Sequence, residues 1–251
     1  MRMGALLGPI LDPARTDTLA EQARTFAGAG FDSLWSIQAI GRGFMITDPI
    51  VALAVAASVT DEVELGTAVV QIPLYAPMDL AHRIFSLQQV AGNRLILGVG
   101  AGSTAADYAA YGRDYAGRFS AFESSLAALR QIFATGGLGD ATLSPWPAVD
   151  GGPPVFYGTW GKGVVRAATE FDGWIASGMH RTPEQVAAAA QRYQAAGGGR
   201  SIVSTIQVSG QTDPGELKER LAAYAEAGFD DAVVMLMPGA PTPAEVRRLL
   251  D

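Results

Sequence analysis

The chain has 251 residues, of which 49% are hydrophobic and 17% are charged; this supports one compact core and excludes a disordered or fibrous protein. Its 18 Lys and Arg residues against 25 Asp and Glu residues give a net charge of −7, so we expect neither nucleic acid nor an acidic membrane as a partner. Cysteine is absent and there are two histidines, which excludes disulfides and thiolate chemistry and predicts no metal site.

The short apolar run near the N-terminus is interrupted by Gly8, Pro9 and Asp12. It therefore does not read as a cleavable leader. No apolar stretch elsewhere is long enough to cross a bilayer. We expect a soluble, cytoplasmic protein.

Eight apolar segments rich in β-branched residues alternate with segments of helical periodicity. Strict alternation of strands with helices predicts parallel pairing of the strands. In the helical segments, apolar residues recur every three or four positions, as they do between Phe119 and Phe133. The predicted strands are, in chain order, Gly4–Leu7, Ser33–Ile37, Val63–Val70, Arg94–Val99, Pro154–Tyr157, Gly173–Ser177, Ile202–Val208 and Ala232–Met237.

Three helix starts carry the same sequence device. Thr182, Asp213 and Thr242 are each followed by Pro and, three positions on, by Gln or Glu, the pattern of an N-cap with proline in the first turn. Eight β/α units in about 250 residues predict one (β/α)8 TIM barrel, an α/β fold, as a single domain over residues 1–251.

The rival architecture is a doubly wound open sheet. The glycines of Gly98–Gly102 follow a predicted strand, as in dinucleotide-binding folds. Their spacing is G-x-G-x-G, however, and no acidic residue ends the next strand about 20 residues on, so the motif favours the barrel. The Gly- and Pro-rich segment 136–153 interrupts the alternation, and we interpret it as a lid or insert loop over one end of the barrel.

Active sites of such barrels lie at the carboxyl ends of the strands. Gly158-Thr159-Trp160-Gly161-Lys162 follows the fifth predicted strand and is typical of a phosphate-binding loop at a helix start; a flexible turn is the alternative. His180 and Gln38, after the sixth and second strands, are the candidate catalytic residues. A surface-loop histidine is the alternative for His180.

Five motifs recur in order along most of the chain: Asp48–Leu53, Val63–Val70, Gly92–Gly102, Pro153–Gly158 and Ala167–Trp174. Together they resemble the bacterial luciferase-like monooxygenase superfamily, whose members are (β/α)8 oxidoreductases that use flavin or the deazaflavin coenzyme F420. The resemblance implies a flat cofactor ring across the barrel mouth, against the loop 101–103 and a bulge with a non-proline cis peptide at Ala68–Val69. The cofactor phosphate would meet residues 158–162. The predicted cofactor-binding residues are Gln38, Ala68, Val69, Gln71, Ala101, Gly102, Ser103, Gly158, Thr159, Trp160, Gly161 and Lys162.

Departures from the family pattern narrow the activity. F420-dependent sugar-phosphate dehydrogenases carry an Asp-His pair and a Glu where this chain has Gln38-Ala39 and Ser103, so that activity is rejected. The chain is short for a flavin monooxygenase with a shielding insert. The resemblance therefore favours F420-dependent hydride transfer to or from a small apolar organic substrate. An FMN-dependent monooxygenase and a non-catalytic flavin- or ligand-binding barrel are the alternatives, and a homodimer is a further expectation.

Overall fold

Parallel strands close into an eight-stranded barrel in the computed structural model, which describes residues 1–8, 17–179 and 181–250. The strands pair in the order β3-β2-β1-β11-β10-β9-β8-β5-β4, and pairing of β3 with β5 closes the ring. In chain order, the strands are β1 (Arg2–Leu6), β2 (Ser33–Ser36), β3 (Glu64–Thr67), β4 (Val70–Gln71), β5 (Leu95–Gly100), β6 (Gly137–Leu138), β7 (Ala141–Thr142), β8 (Val155–Gly158), β9 (Gly173–Ser177), β10 (Arg200–Val208) and β11 (Asp231–Leu236).

Helices surround the barrel and return the chain from the carboxyl to the amino ends of the strands. The three predicted helix starts are confirmed: Thr182 and Thr242 form capping boxes, and the Asp213 side chain accepts the N–H of Glu216. No helix in the described ranges is long and apolar enough to cross a membrane. The helices are α1 (Leu19–Gly28), α2 (Pro49–Val59), α3 (Pro77–Ala91), α4 (Ala105–Ala110), α5 (Arg118–Thr135), α6 (Gly163–Glu170), α7 (Pro183–Ala195), α8 (Pro214–Glu226) and α9 (Pro243–Arg247).

All eight predicted strands are confirmed, and so is the barrel that they predict. The third strand differs in one respect: it divides into β3 and β4 at Ala68–Val69, where the peptide bond is cis. β4 then continues beside β5, with Val70 opposite Val99. β3 and β4 thus form one strand of the barrel, which a bulge interrupts near its carboxyl end.

The interior of the barrel is filled around Trp35, which is fully buried. Its indole ring fits because the facing positions on β1 and β3 are Gly4 and Gly66. A Cβ at Gly66 would lie 2.2 Å from Trp35 Cζ3. The ring therefore takes the space that side chains on both neighbouring strands would otherwise fill. A second, larger core lies between the barrel and the helices.

Four charged side chains close the amino end of the barrel. The guanidinium of Arg200 donates to both carboxylate oxygens of Glu64, at 3.0 and 2.7 Å, and to both of Asp231, at 2.8 and 2.9 Å. Arg2 pairs with the same two carboxylates. Burial by itself would raise the pKa of Glu64, but the hydrogen bonds and charge of Arg200 and Arg2 hold it below its usual value.

Segment 136–153 is the part of the chain that the sequence predicts to be a lid or insert loop over one end of the barrel. The segment joins the end of α5 to the start of β8 and contains the β6–β7 hairpin. Because a barrel helix returns the chain to the amino ends of the strands, this insert lies at the end opposite the expected site. Gly152 packs there on the ring of Phe133, in the last turns of α5.

Candidate cofactor site at the barrel mouth

The carboxyl end of the barrel has an apolar floor. The side chains of this floor are partly exposed and pack on the core inside the barrel, so they separate that core from solvent. They belong to Ile37, Ala68, Val69, Met179 and Met237. An apolar, solvent-accessible surface at this end of a barrel is the usual location of a ligand site. A cavity of about 670 Å³ also occurs at the amino end, lined by residues that include Arg2 and Arg24. It lies away from the strand ends at which chemistry develops in this fold.

Two glycines on neighbouring strands make room for the Val69 side chain. A Cβ at Gly158 would lie 2.4 Å from Val69 Cγ1, and a Cβ at Gly100 would lie 2.8 Å from Val69 Cγ2. The walls beside Val69 are therefore backbone rather than side chain. Such a surface lets a flat ring approach the main chain closely, so the residues present fit the flavin or deazaflavin ring that the sequence implied.

Gln38 holds the backbone that follows the bulge. Its Oε1 accepts the N–H of Gln71 at 2.7 Å, and its Nε2 donates to the hydroxyl of Tyr75 at 2.6 Å. Tyr111 donates in turn to Tyr75, at 3.5 Å. Both ends of the Gln38 amide are thus occupied by the protein. This arrangement positions the bulge; a catalytic role for Gln38 stays a prediction.

The buried carboxylate of Asp107 connects the loop after β2 to β4. Asp107 is fully buried and accepts from Arg42 Nε at 2.8 Å, from Gln71 Nε2 at 2.7 Å and from the N–H of Ile40 at 3.2 Å. Burial by itself would raise the pKa of Asp107, but the hydrogen bonds from Arg42, Gln71 and Ile40 outweigh it and hold that pKa below its ordinary value.

The loop 101–103 lies against this polar cluster. The carbonyl of Ala101 accepts from the hydroxyl of Tyr108, and the carbonyl of Ser103 accepts from Tyr115 at 2.9 Å. Gly102 has a φ of 81°, and a Cβ there would lie 1.9 Å from Gln71 Oε1. A side chain larger than hydrogen at residue 102 would therefore displace Gln71 and the cluster that it joins.

The predicted phosphate-binding loop, residues 158–162, connects β8 to α6. The carbonyl of Thr159 accepts from Trp174 Nε1 at 3.0 Å, which fixes the start of the loop. A Cβ at Gly163 would lie 2.1 Å from Thr159 Oγ1, so this hydroxyl sits against the first residue of α6. Lys162 is exposed at the N-cap position. The loop thus presents a hydroxyl and a cation at a helix start.

Arg181 covers one face of Trp160 in this loop. Its Cζ lies 3.9 Å from the centroid of the Trp160 ring, within range of a cation–π interaction. The neighbouring candidate, His180, lies outside the described residues.

The structure brings the predicted cofactor-binding residues to one end of the barrel, and their contact with a cofactor stays a prediction. Sequence reasoning missed the pairing of Arg42 with Asp107 and the position of Arg181. Both arginines follow predicted strands, and this position alone places them at the carboxyl end of the barrel. Nothing in the spacing indicates their partners, because Arg42 and Asp107 are 65 residues apart.

The chain folds as a closed (β/α)8 barrel with a candidate ligand site at its carboxyl end. The sequence matches the luciferase-like monooxygenase family over residues 4–228, and the chain belongs to this family of oxidoreductases.

The chain is 36% identical over 113 residues to 4-hydroxyprotoasukamycin monooxygenase of Streptomyces nodosus subsp. asukaensis, which covers 41% of this chain and 30% of that protein. It is 27% identical over 177 residues to the Mycobacterium tuberculosis protein named "Putative coenzyme F420-dependent oxidoreductase Rv3520c", and the match covers 62% of this chain and 50% of that protein. It thus spans half or less of the length of these curated relatives.

The fold is also that of a solved structure, the monooxygenase RslO1 from Streptomyces bottropensis. The TM-score is 0.79 at 17% identity, and the match covers 100% of this chain and 97% of that chain. At this identity the likeness concerns the fold.

Proposed function

We propose that this chain is an F420-dependent oxidoreductase that transfers hydride to or from a small apolar organic substrate. The observation that carries the proposal is the accessible apolar floor at Ala68–Val69, walled by Gly100 and Gly158. Coenzyme F420, when bound, supplies two-electron hydride chemistry that does not consume oxygen. The likeness to the M. tuberculosis protein supports this choice of cofactor.

The chain's own residues have binding and orienting roles in this proposal. Ala68, Val69 and the two glycine walls would hold the ring, and Gln38 would keep the bulge in place through the N–H of Gln71. The loop 158–162 would hold the phosphate. Hydride transfer requires orientation and exclusion of water more than a protein acid or base, which agrees with a floor of Ile, Ala, Val and Met side chains.

An FMN-dependent monooxygenase is the second candidate. It is favoured by the 36% identity to 4-hydroxyprotoasukamycin monooxygenase over 113 residues. Against it stands the position of segment 136–153, the insert predicted as a lid, at the amino end of the barrel. There it cannot shield an oxygen-reactive site at the mouth from water. A barrel that binds the cofactor without turnover is the third candidate.

The test is to titrate the purified chain with F420 and, separately, with FMN, following absorbance and fluorescence. Reduced F420 is then mixed with an activated-alkene probe such as cyclohexenone, in air and under nitrogen. We expect F420 to bind and to be oxidised at the same rate in both atmospheres. Binding of FMN alone with strictly oxygen-dependent turnover would establish the second candidate, and binding without turnover of any probe would favour the third.

Gly158→Ala tests whether the ring lies on the predicted surface. Its Cβ would meet Val69, so we expect the affinity for F420 to fall about tenfold or more, which is ~1.4 kcal/mol. Gly199→Ala is the matched control, because a Cβ at Gly199 would have no neighbour within 4 Å. Equal affinity for F420 in both variants would show that the ring does not lie on this surface.

A further inference from the structure

Arg181 is brought to the phosphate-binding loop by strand pairing. β8 and β9 are neighbours, with Gly158 opposite Ile175, so the loops that follow them lie side by side. The Arg181 Cζ lies over the ring of Trp160, in the centre of the loop 158–162, at 3.9 Å from the ring centroid. Trp160 also packs on the core, and its ring centroid lies 6.3 Å from that of Trp174. The core therefore holds the ring that Arg181 contacts.

Arg181 has no acceptor in the part of the chain that the structure describes. Its Nε is buried without a hydrogen-bond partner. Arg118 and Arg220 also bury an unpartnered Nε, but each donates another N–H to a backbone carbonyl. Arg181 differs from both because none of its N–H groups has an acceptor among the described residues, and an anionic ligand would supply one.

The guanidinium of Arg181 suits a phosphate ligand. Its N–H groups form a planar fork that matches two oxygens of a phosphate. Lys162 adds a second cation two residues from Trp160, at the start of α6. The pair therefore brings two positive charges to one loop of a protein whose net charge is −7.

We propose that Arg181, held by Trp160, binds the phosphate of the cofactor together with Lys162 and thereby selects phosphorylated cofactors over their phosphate-free rings. The inference rests on the proposed function and deepens it. It assigns a residue outside the loop 158–162 to the phosphate site. It also gives Trp160 the role of supporting Arg181 on one face.

The experiment compares wild type, Arg181→Gln and Arg181→Lys, with Arg192→Gln as control. Arg192 is an exposed arginine near the other end of α7, so its variant removes the same charge. Each protein is titrated with FMN and riboflavin, and with F420 and its phosphate-free deazaflavin ring. We expect Arg181→Gln to lose about tenfold or more in affinity for the phosphorylated ligand and less than about twofold for the ring. Arg181→Lys should lie between, and Arg192→Gln should match wild type.

Two results would overturn the inference. Unchanged affinity of Arg181→Gln for the phosphorylated ligand would place the phosphate elsewhere. Equal losses for both members of a pair would mean that Arg181 only supports the loop through Trp160.

Thermal unfolding with inorganic phosphate separates this inference from the proposed function. If wild type binds neither F420 nor FMN, the proposed function fails while the anion site can still be tested. Stabilisation of wild type and Arg192→Gln by phosphate, but not of Arg181→Gln, would support the site. No stabilisation of any of the proteins would overturn it.

Discussion

Asp107→Asn tests the polar cluster at the barrel mouth, in which Asp107 accepts from Arg42, Gln71 and Ile40. The substitution keeps the shape of a fully buried side chain but removes its charge. It also places an amide N–H₂ near Gln71 Nε2, which donates to the carboxylate at 2.7 Å, unless the amide turns and faces Arg42 instead. In either orientation one buried donor loses its acceptor.

The expected loss in the free energy of unfolding is about 2–3 kcal/mol. Removing one partner of a buried ion pair costs ~3–5 kcal/mol. The lower range applies because the Arg42 side chain is 31% exposed and can turn into water. The matched control is Asp79→Asn: Asp79 pairs with Arg83 on the surface of α3, with both side chains about half exposed, and we expect a loss below ~0.5 kcal/mol.

The free energy of unfolding should also depend on pH, and in opposite directions for wild type and Arg42→Gln. In wild type the pKa of Asp107 lies below its unfolded value, so its contribution is present above that value and is lost as the pH falls through the folded-state pKa. Arg42→Gln leaves the carboxylate buried and without its cation, which should raise that pKa above the unfolded value. The Asp107 contribution to stability should then increase on acidification from neutral pH.

Urea unfolding followed by tryptophan fluorescence, at neutral pH and at pH values down to about 4, measures both effects. Asp107→Asn within ~0.5 kcal/mol of wild type would refute the importance of the cluster. Arg42→Gln with the same acid dependence as wild type would refute the assignment of the charge pair.

Two predictions concern the rest of the barrel. Gly66→Ala should destabilise the protein by about 1–3 kcal/mol in urea unfolding, because its Cβ would lie 2.2 Å from Trp35 Cζ3; wild-type stability would show that the ring can shift. Arg200→Met should lower the midpoint of thermal unfolding by roughly 10 °C, because it leaves the buried Asp231 and the half-buried Glu64 with Arg2 alone. A change below about 2 °C would contradict this account of the amino end.

The sequence contained enough local information to predict the barrel. Strand positions follow from short apolar runs, and helix starts follow from Thr182, Asp213 and Thr242, since a capping side chain bonds to backbone three residues away. Alternation of the elements then fixes parallel pairing, and eight units suffice to close a ring. The bulge at Ala68–Val69 was predicted from the family resemblance, not from local pattern, and is confirmed.

The end of the barrel at which segment 136–153 lies follows from its place after α5, once that helix is assigned. Its Gly and Pro content predicts an insert but does not indicate at which end of the barrel the insert lies.

By itself, then, the sequence determined the elements, their order and the strand ends that carry Gln38, Gly158 and Lys162, because each of these signals lies within a few residues along the chain. Only the tertiary structure decided which side chains meet: Arg42 with Asp107, Val69 with Gly158 and Arg181 with Trp160. These contacts join residues from different elements of the chain. The distances between these side chains depend on the closure of the barrel and on the path of each loop. Neither can be predicted from the periodicity of the sequence.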